Sequence, residues 1–173
     1  MIVWLVGLSG AGKTTIAREL HRQWQAREPA TVLIDGDEIR EIFKHDQNAA
    51  AYTPEGRRIN AERIAAMSAW LDDQSVNAVV SILCIFPDIL TANRNRYSRY
   101  FEVFVDAPLA ELEARDGKGL YAAARRGEMA DVVGIDIPFP TPAQPDLVIS
   151  NDGHRLDGET VAAKILSEIR AGR

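Results

Sequence analysis

The chain has 173 residues, 46% hydrophobic and 26% charged, with a formal net charge of −5. This length suits one hydrophobic core, and the composition excludes disordered and collagen-like chains. The longest nearly unbroken apolar run, 78–86, is far short of the roughly 20 residues a membrane helix needs, and the acidic balance argues against loose attraction to nucleic acid or to an anionic lipid surface.

The first residues, Met1-Ile2-Val3-Trp4-Leu5-Val6-Gly7, have no basic region ahead of the apolar stretch and no small-residue cleavage site after it. A secretory signal is therefore not expected, and the cytoplasm is the expected location. Apolar runs at 2–6, 31–34, 78–83, 101–105 and 147–149 read as five strands. Four are almost continuously apolar, as strands covered on both faces are, and they alternate with helical patterns. The expected fold class is α/β, a three-layer sandwich around a five-stranded parallel sheet, forming a single domain.

Between the first two strands, Ile16, Leu20 and Trp24 recur at four-residue spacing and predict an amphipathic helix. Further helices are expected over 38–44, over 54–71, from 107–109 onward and over 157–169, where Val161, Ile165 and Ile169 line one face. The stretch 117–145 is rich in Gly and Pro, with one short helical piece over 120–125, and reads as a lid-like excursion over the sheet. Cys84 sits in an apolar segment, where a buried, inert thiol is expected.

Gly7-Leu8-Ser9-Gly10-Ala11-Gly12-Lys13-Thr14 fits G-x-x-x-x-G-K-[ST], directly after a predicted strand and directly before a predicted helix. Glycines let successive N–H groups point inward at phosphate oxygens, and the helix N-terminus adds about half a positive charge. Lys13 supplies a point charge for the β and γ phosphates, and the Thr14 hydroxyl a ligand for Mg²⁺. A Gly-rich turn that merely opens a helix requires neither Lys nor Thr at this offset. The ATP-binding candidates are Gly7, Ser9, Gly10, Ala11, Gly12, Lys13, Thr14 and Thr15, and the fold is expected to be that of P-loop nucleoside triphosphate hydrolases.

The second strand ends in Asp35-Gly36-Asp37. Ligands of open α/β sheets gather at the carboxyl ends of strands, so a carboxylate here could hold Mg²⁺ through water or take the proton of an attacking hydroxyl. Asp37 could equally cap the helix that follows. Asp106, at the end of the fourth strand, is a rival for Mg²⁺, although the Pro108 that follows favours a cap role. Asp37 ranks first.

Several further motifs occur in order. Gly7 to Thr15 reads G-L-S-G-x-G-K-T-T, Asp35 to Arg40 reads D-G-D-x-x-R, and Arg57, Asn60 and Arg63 form R-x-x-N-x-x-R. Val103 to Leu109 reads V-F-V-D-x-P-L, Arg115 to Tyr121 reads R-D-x-K-G-L-Y, and Gly134-Ile135-Asp136 with Pro138 reads G-I-D-x-P. From Ile2 to about Ser150 the chain thus resembles the adenylylsulfate kinases, P-loop kinases that transfer the γ-phosphate of ATP to the ribose 3′-hydroxyl of adenylyl sulfate.

The resemblance implies ATP as donor, Mg²⁺ as cofactor and a nucleotide acceptor, with neither nucleic acid nor membrane as partner. It implies Asp37 as the carboxylate near the acceptor hydroxyl and the metal, with Lys13 and Asp35 as further catalytic residues and Thr14 and Asp37 as the metal side. Arg40, Tyr52, Arg57, Asn60, Ile85 and Val132 are implied on the acceptor side, Lys118 as a lid residue reaching phosphate, and Arg115 on the ATP side. Homodimer assembly is left open. The 173 residues leave no length for a fused sulfurylase, so any pathway partner is expected to be a separate chain.

Three positions depart from the family pattern, all in the acceptor pocket. Tyr52 stands where the family carries a Phe stacked on the acceptor base, and Val132 stands where it carries a second Phe on the opposite face. Stacking is worth about 1–3 kcal/mol per base, so losing one face weakens purine selection by a comparable amount. Phe86-Pro87-Asp88-Ile89 stands where the family reads S-P-Y-R, so an Arg is absent and an acidic residue is added. Beside adenylyl sulfate, a second acceptor is therefore open: cytidine diphosphoramidate of surface-polysaccharide modification, whose smaller base suits Val132 and Ile89. A non-catalytic nucleotide switch is a remote alternative, because Asp131-Val132-Val133-Gly134 fits D-x-x-G but no segment reads N-K-x-D.

Overall fold

Five strands form one sheet: β1 (Ile2–Val6), β2 (Thr31–Asp35), β3 (Asn77–Ile82), β4 (Tyr100–Asp106) and β5 (Leu147–Ser150). The computed structural model describes residues 1–45, 47, 49–117, 119–152 and 157–171. Strand order is β2-β3-β1-β4-β5 and every pairing is parallel. β1 is the central strand, and none of its five residues is exposed. Both faces must therefore be apolar, which is why the run is unbroken rather than alternating.

Alternate residues of β1 serve opposite cores. Val3 and Leu5 join one cluster with Val79, Val103, Val105 and Ile149, covered by α1 (Lys13–Gln25) and α7 (Gly158–Ala171). Ile16, Leu20 and Trp24 supply the buried stripe of α1, and Val161, Ile165 and Ile169 that of α7. Ile2, Trp4 and Val6 join the other cluster, covered by α2 (Gly36–Ile42), α3 (Pro54–Asp73) and α4 (Pro87–Arg96). Each fully buried large side chain stabilises the fold by about 1.5–3 kcal/mol relative to exposure. The excursion after β4 holds α5 (Leu109–Arg115) and α6 (Leu120–Arg125), then an irregular strap in which Phe139 stacks on Phe104 at 6.0 Å.

The α/β expectation and all five strands hold, with boundaries shifted by one residue at most ends. One helix start and one cap role are corrected. The helix expected over 38–44 runs over Gly36–Ile42, and its cap is Asp35, not Asp37: the Asp35 carboxylate accepts the Asp37 N–H at 2.9 Å. The helix expected from 107–109 begins at Leu109 after Pro108, so Asp106 closes β4 and caps nothing. Among the described residues, no helix is long and apolar enough to cross a membrane.

Candidate active site

The carboxyl ends of the three strands β1, β2 and β3 meet at one edge of the sheet. β1 runs straight into the glycine loop, whose last residue, Gly12, adopts φ 99° and precedes α1 without any side-chain cap. A helix N-terminus approached by such a loop presents N–H groups suited to an anion. Lys13 is buried and its Nζ donates to the Leu8 carbonyl at 2.7 Å, which folds the ammonium back over the loop.

Thr14 Oγ1 donates to Asp35 Oδ2 at 2.8 Å and lies 3.4 Å from Ser81 Oγ. Asp35 and Ser81 are register partners across β2 and β3, so sheet pairing itself brings the two oxygens to Thr14. Ser81 was not singled out by sequence reasoning; its signal is a lone hydroxyl residue inside an otherwise apolar strand. Hard oxygen donors of this kind suit Mg²⁺, which takes one or two protein oxygens and completes its shell with water and phosphate.

The two carboxylates of Asp35-Gly36-Asp37 have different surroundings. Asp35 is 6% exposed, with one oxygen engaged by Thr14 and the other by the Asp37 N–H. The Asp37 side chain is 68% exposed and accepts from Arg40 Nη1 at 2.7 Å. Arg40 is buried, and its Nε has no hydrogen-bond partner among the described residues.

Arg40 and Arg57 lie 5.3 Å and 5.8 Å from the centre of the Tyr52 ring, which the short 3₁₀ turn Ala49–Tyr52 holds at the surface. Arg57 also donates to the Tyr52 and Asp131 carbonyls. Burial, and then the like charge of Arg40, push the Arg57 guanidinium below its ordinary range. Two such cations side by side form a seat for an anionic group. Asn60 is fully buried one turn along α3; its Nδ2 donates to the Gly36 carbonyl at 3.0 Å and its Oδ1 has no partner among the described residues.

Arg40, Tyr52, Arg57 and Asn60 thus sit around the end of β2. Ile85 packs half-buried against the same core cluster. Val132 is placed differently from an open wall: it is 2% exposed and belongs to the core cluster on the α1 side of the sheet. Arg115 is held by Asn151, donating to its Oδ1 and its backbone carbonyl, both at 3.2 Å. Lys118, expected in the lid, lies outside the described residues. Asp88, the acidic departure after β3, is clasped by Arg58 through two bonds of 2.9 Å and 3.1 Å, and the same guanidinium lies 4.3 Å over the Phe86 ring.

A family model described as adenylylsulphate kinase matches residues 1–150. The chain belongs to the adenylylsulphate kinase family. Among this family's members, an adenylyl-sulfate kinase of Paraburkholderia xenovorans is 41% identical over 152 residues, covering 87% of this chain and 83% of its own. A cytidine diphosphoramidate kinase of Campylobacter jejuni is 39% identical over 150 residues, covering 87% and 85%. The solved structure of the Mycobacterium tuberculosis adenylylsulphate kinase in complex with AMPPNP and adenylyl sulfate superposes with a TM-score of 0.84 at 29% identity, covering 98% of this chain and 96% of that one. As a member of the family, the chain has the P-loop fold and is a nucleotide kinase, an ATP-dependent phosphotransferase that acts on a hydroxyl group.

Proposed function

We propose that this kinase transfers the γ-phosphoryl group of ATP to the ribose 3′-hydroxyl of a nucleotide whose 5′ end bears a further anionic group. The observation that carries this reading is the division of the β2 end. Asp35 faces the phosphate loop through Thr14, while Asp37, two residues on, is exposed beside the Arg40, Arg57 and Tyr52 group. The donor and acceptor halves of a phosphoryl transfer therefore meet across a single Asp-Gly-Asp turn.

Phosphoryl transfer needs little covalent work from the protein; positioning and charge neutralisation supply the catalysis. The loop N–H groups and Lys13 hold the triphosphate, with the ammonium leaving the Leu8 carbonyl for phosphate oxygen. Thr14, with Asp35 behind it, would hold Mg²⁺, which supplies charge neutralisation of the β and γ oxygens. Asp37 orients the acceptor hydroxyl and takes its proton, and its bond to Arg40 fixes the carboxylate in place. Arg40 and Arg57 hold the acceptor's phosphate, and the Tyr52 ring offers a face to its base. The excursion 117–145 excludes water as a competing acceptor.

Within this reaction the pocket favours a cytidine diphosphate-linked acceptor, the second of the two open readings. Val132 brings no aromatic face and is buried in the core, and the acidic Asp88 is tied to Arg58 next to Ile89, the position where the family carries an Arg. The Campylobacter jejuni relative is named for such an acceptor, cytidine diphosphoramidate. Steady-state kinetics with both acceptors test the choice. A kcat/KM at least about fivefold higher for the cytidine compound is expected, since about 1–3 kcal/mol of purine stacking is absent. A preference for adenylyl sulfate reverses the assignment.

A further inference from the structure

The phosphate loop is gripped from outside at two carbonyls by side chains far away in sequence. The Tyr121 hydroxyl, on α6 of the lid-like excursion, donates to the Ser9 carbonyl at 2.8 Å. Asn151 Nδ2, just past β5, donates to the Ala11 carbonyl at 2.9 Å. Both side chains are built in: Tyr121 is 3% exposed and Asn151 4%. Burial pushes the Tyr121 phenol up to about 12, so it remains a donor throughout the neutral range. Asn151 is also the residue that holds Arg115.

A trans peptide is planar, with its C=O and the next residue's N–H pointing in opposite directions. Holding the Ser9 carbonyl therefore fixes the Gly10 N–H on the far side of that plane, and holding the Ala11 carbonyl does the same for the Gly12 N–H. Gly10 and Gly12 have φ of 77° and 99°, in the left-handed region where a glycine backbone rotates most freely. These are the two peptide planes that most need an external clamp.

We propose that Tyr121 and Asn151 are positioning residues of the ATP half-site, clamping the Ser9 and Ala11 carbonyls so that the Gly10 and Gly12 amides face the nucleotide phosphates. Because Tyr121 belongs to the lid, its bond also ties the lid to the occupancy of the loop. The clamp rests on the reading of residues 7–14 as the nucleotide site, not on the identity of the acceptor.

The test is calorimetric titration of the full chain with MgADP, paired with ¹H–¹⁵N spectra in which the Gly10 and Gly12 amides are assigned. Tyr121→Phe keeps the buried ring and removes one hydroxyl; Asn151→Asp keeps an acceptor for Arg115 and removes the donor to Ala11. Each is expected to weaken MgADP binding about threefold to tenfold, as the loss of one neutral hydrogen bond does. Each should also diminish the nucleotide-induced shift of one amide, Gly10 for Tyr121→Phe and Gly12 for Asn151→Asp. Unchanged affinity and unchanged shifts in either folded variant overturn the proposal, as does a lowered melting temperature with affinity intact. If the wild-type chain binds MgADP but phosphorylates no nucleotide, the acceptor reading fails while the clamp stands; if it does not bind MgADP, the clamp falls.

Discussion

Two aspartates two residues apart in the chain illustrate how far single side chains diverge in role. Asp35 spends both oxygens on the fold, capping α2 and accepting Thr14, whereas the Asp37 side chain stands exposed and accepts from Arg40. Asp37→Asn is accordingly expected to lower kcat by about 10²–10⁴, the range of a lost general base, with MgADP affinity changed less than about twofold. Retained turnover would move the proton-accepting role to another group. Asp35→Asn should instead weaken MgADP binding, because its loss disturbs Thr14. Cys84 makes the opposite case: it is buried and its thiol is pushed up to about 12 by desolvation, so a thiol reagent at pH 8 should label it only as fast as the chain unfolds. Rapid labelling of the native chain would show that the segment after β3 opens.

At the scale of elements, the strands were legible because β1, β3 and β4 are buried on both faces and therefore read as unbroken apolar runs, and α1 because Ile16, Leu20 and Trp24 mark one stripe. Leu20→Ala is expected to destabilise the fold by about 2–5 kcal/mol in denaturant unfolding, with nucleotide affinity unchanged below the transition. α4 gave no such signal: its buried residues are Ile89, Leu90 and Asn93, one of them polar, set among Thr, Asn and Arg. The start of α2 was misplaced because either aspartate can cap, and only the bond from the Asp37 N–H to Asp35 decides it. The Arg58 and Asp88 clasp joins the N-terminal parts of α3 and α4, with the Arg58 guanidinium over the Phe86 ring, beside the proposed acceptor contact Arg57. An exposed ion pair adds little stability, so Arg58→Ala should leave the melting temperature within about 2 °C while raising the acceptor KM about threefold. An unchanged acceptor KM would confine the clasp to the surface.

At the scale of the molecule, a net charge of −5 and an anionic ligand are reconciled by geometry rather than by a basic surface. Lys13, Arg40 and Arg57 converge on one edge of the sheet, and backbone N–H groups do the rest. The glycine loop and the Asp-Gly-Asp turn were legible because each is local and set by strand–turn–helix context. Ser81, Tyr121 and Asn151 were not, because they meet the loop across 67, 112 and 140 residues of chain, through sheet register and lid packing. Val132 was legible as a departure from the family pattern, but its burial within the core was not. The central claim, a nucleotide 3′-hydroxyl kinase, is tested most directly by incubating the chain with Mg²⁺-ATP and cytidine diphosphoramidate or adenylyl sulfate, then locating the new phosphate by mass and phosphorus NMR. ADP formation matched by one phosphomonoester on the ribose 3′-oxygen is expected; ADP formed without a nucleotide product, or a phosphate on any other hydroxyl, overturns the assignment.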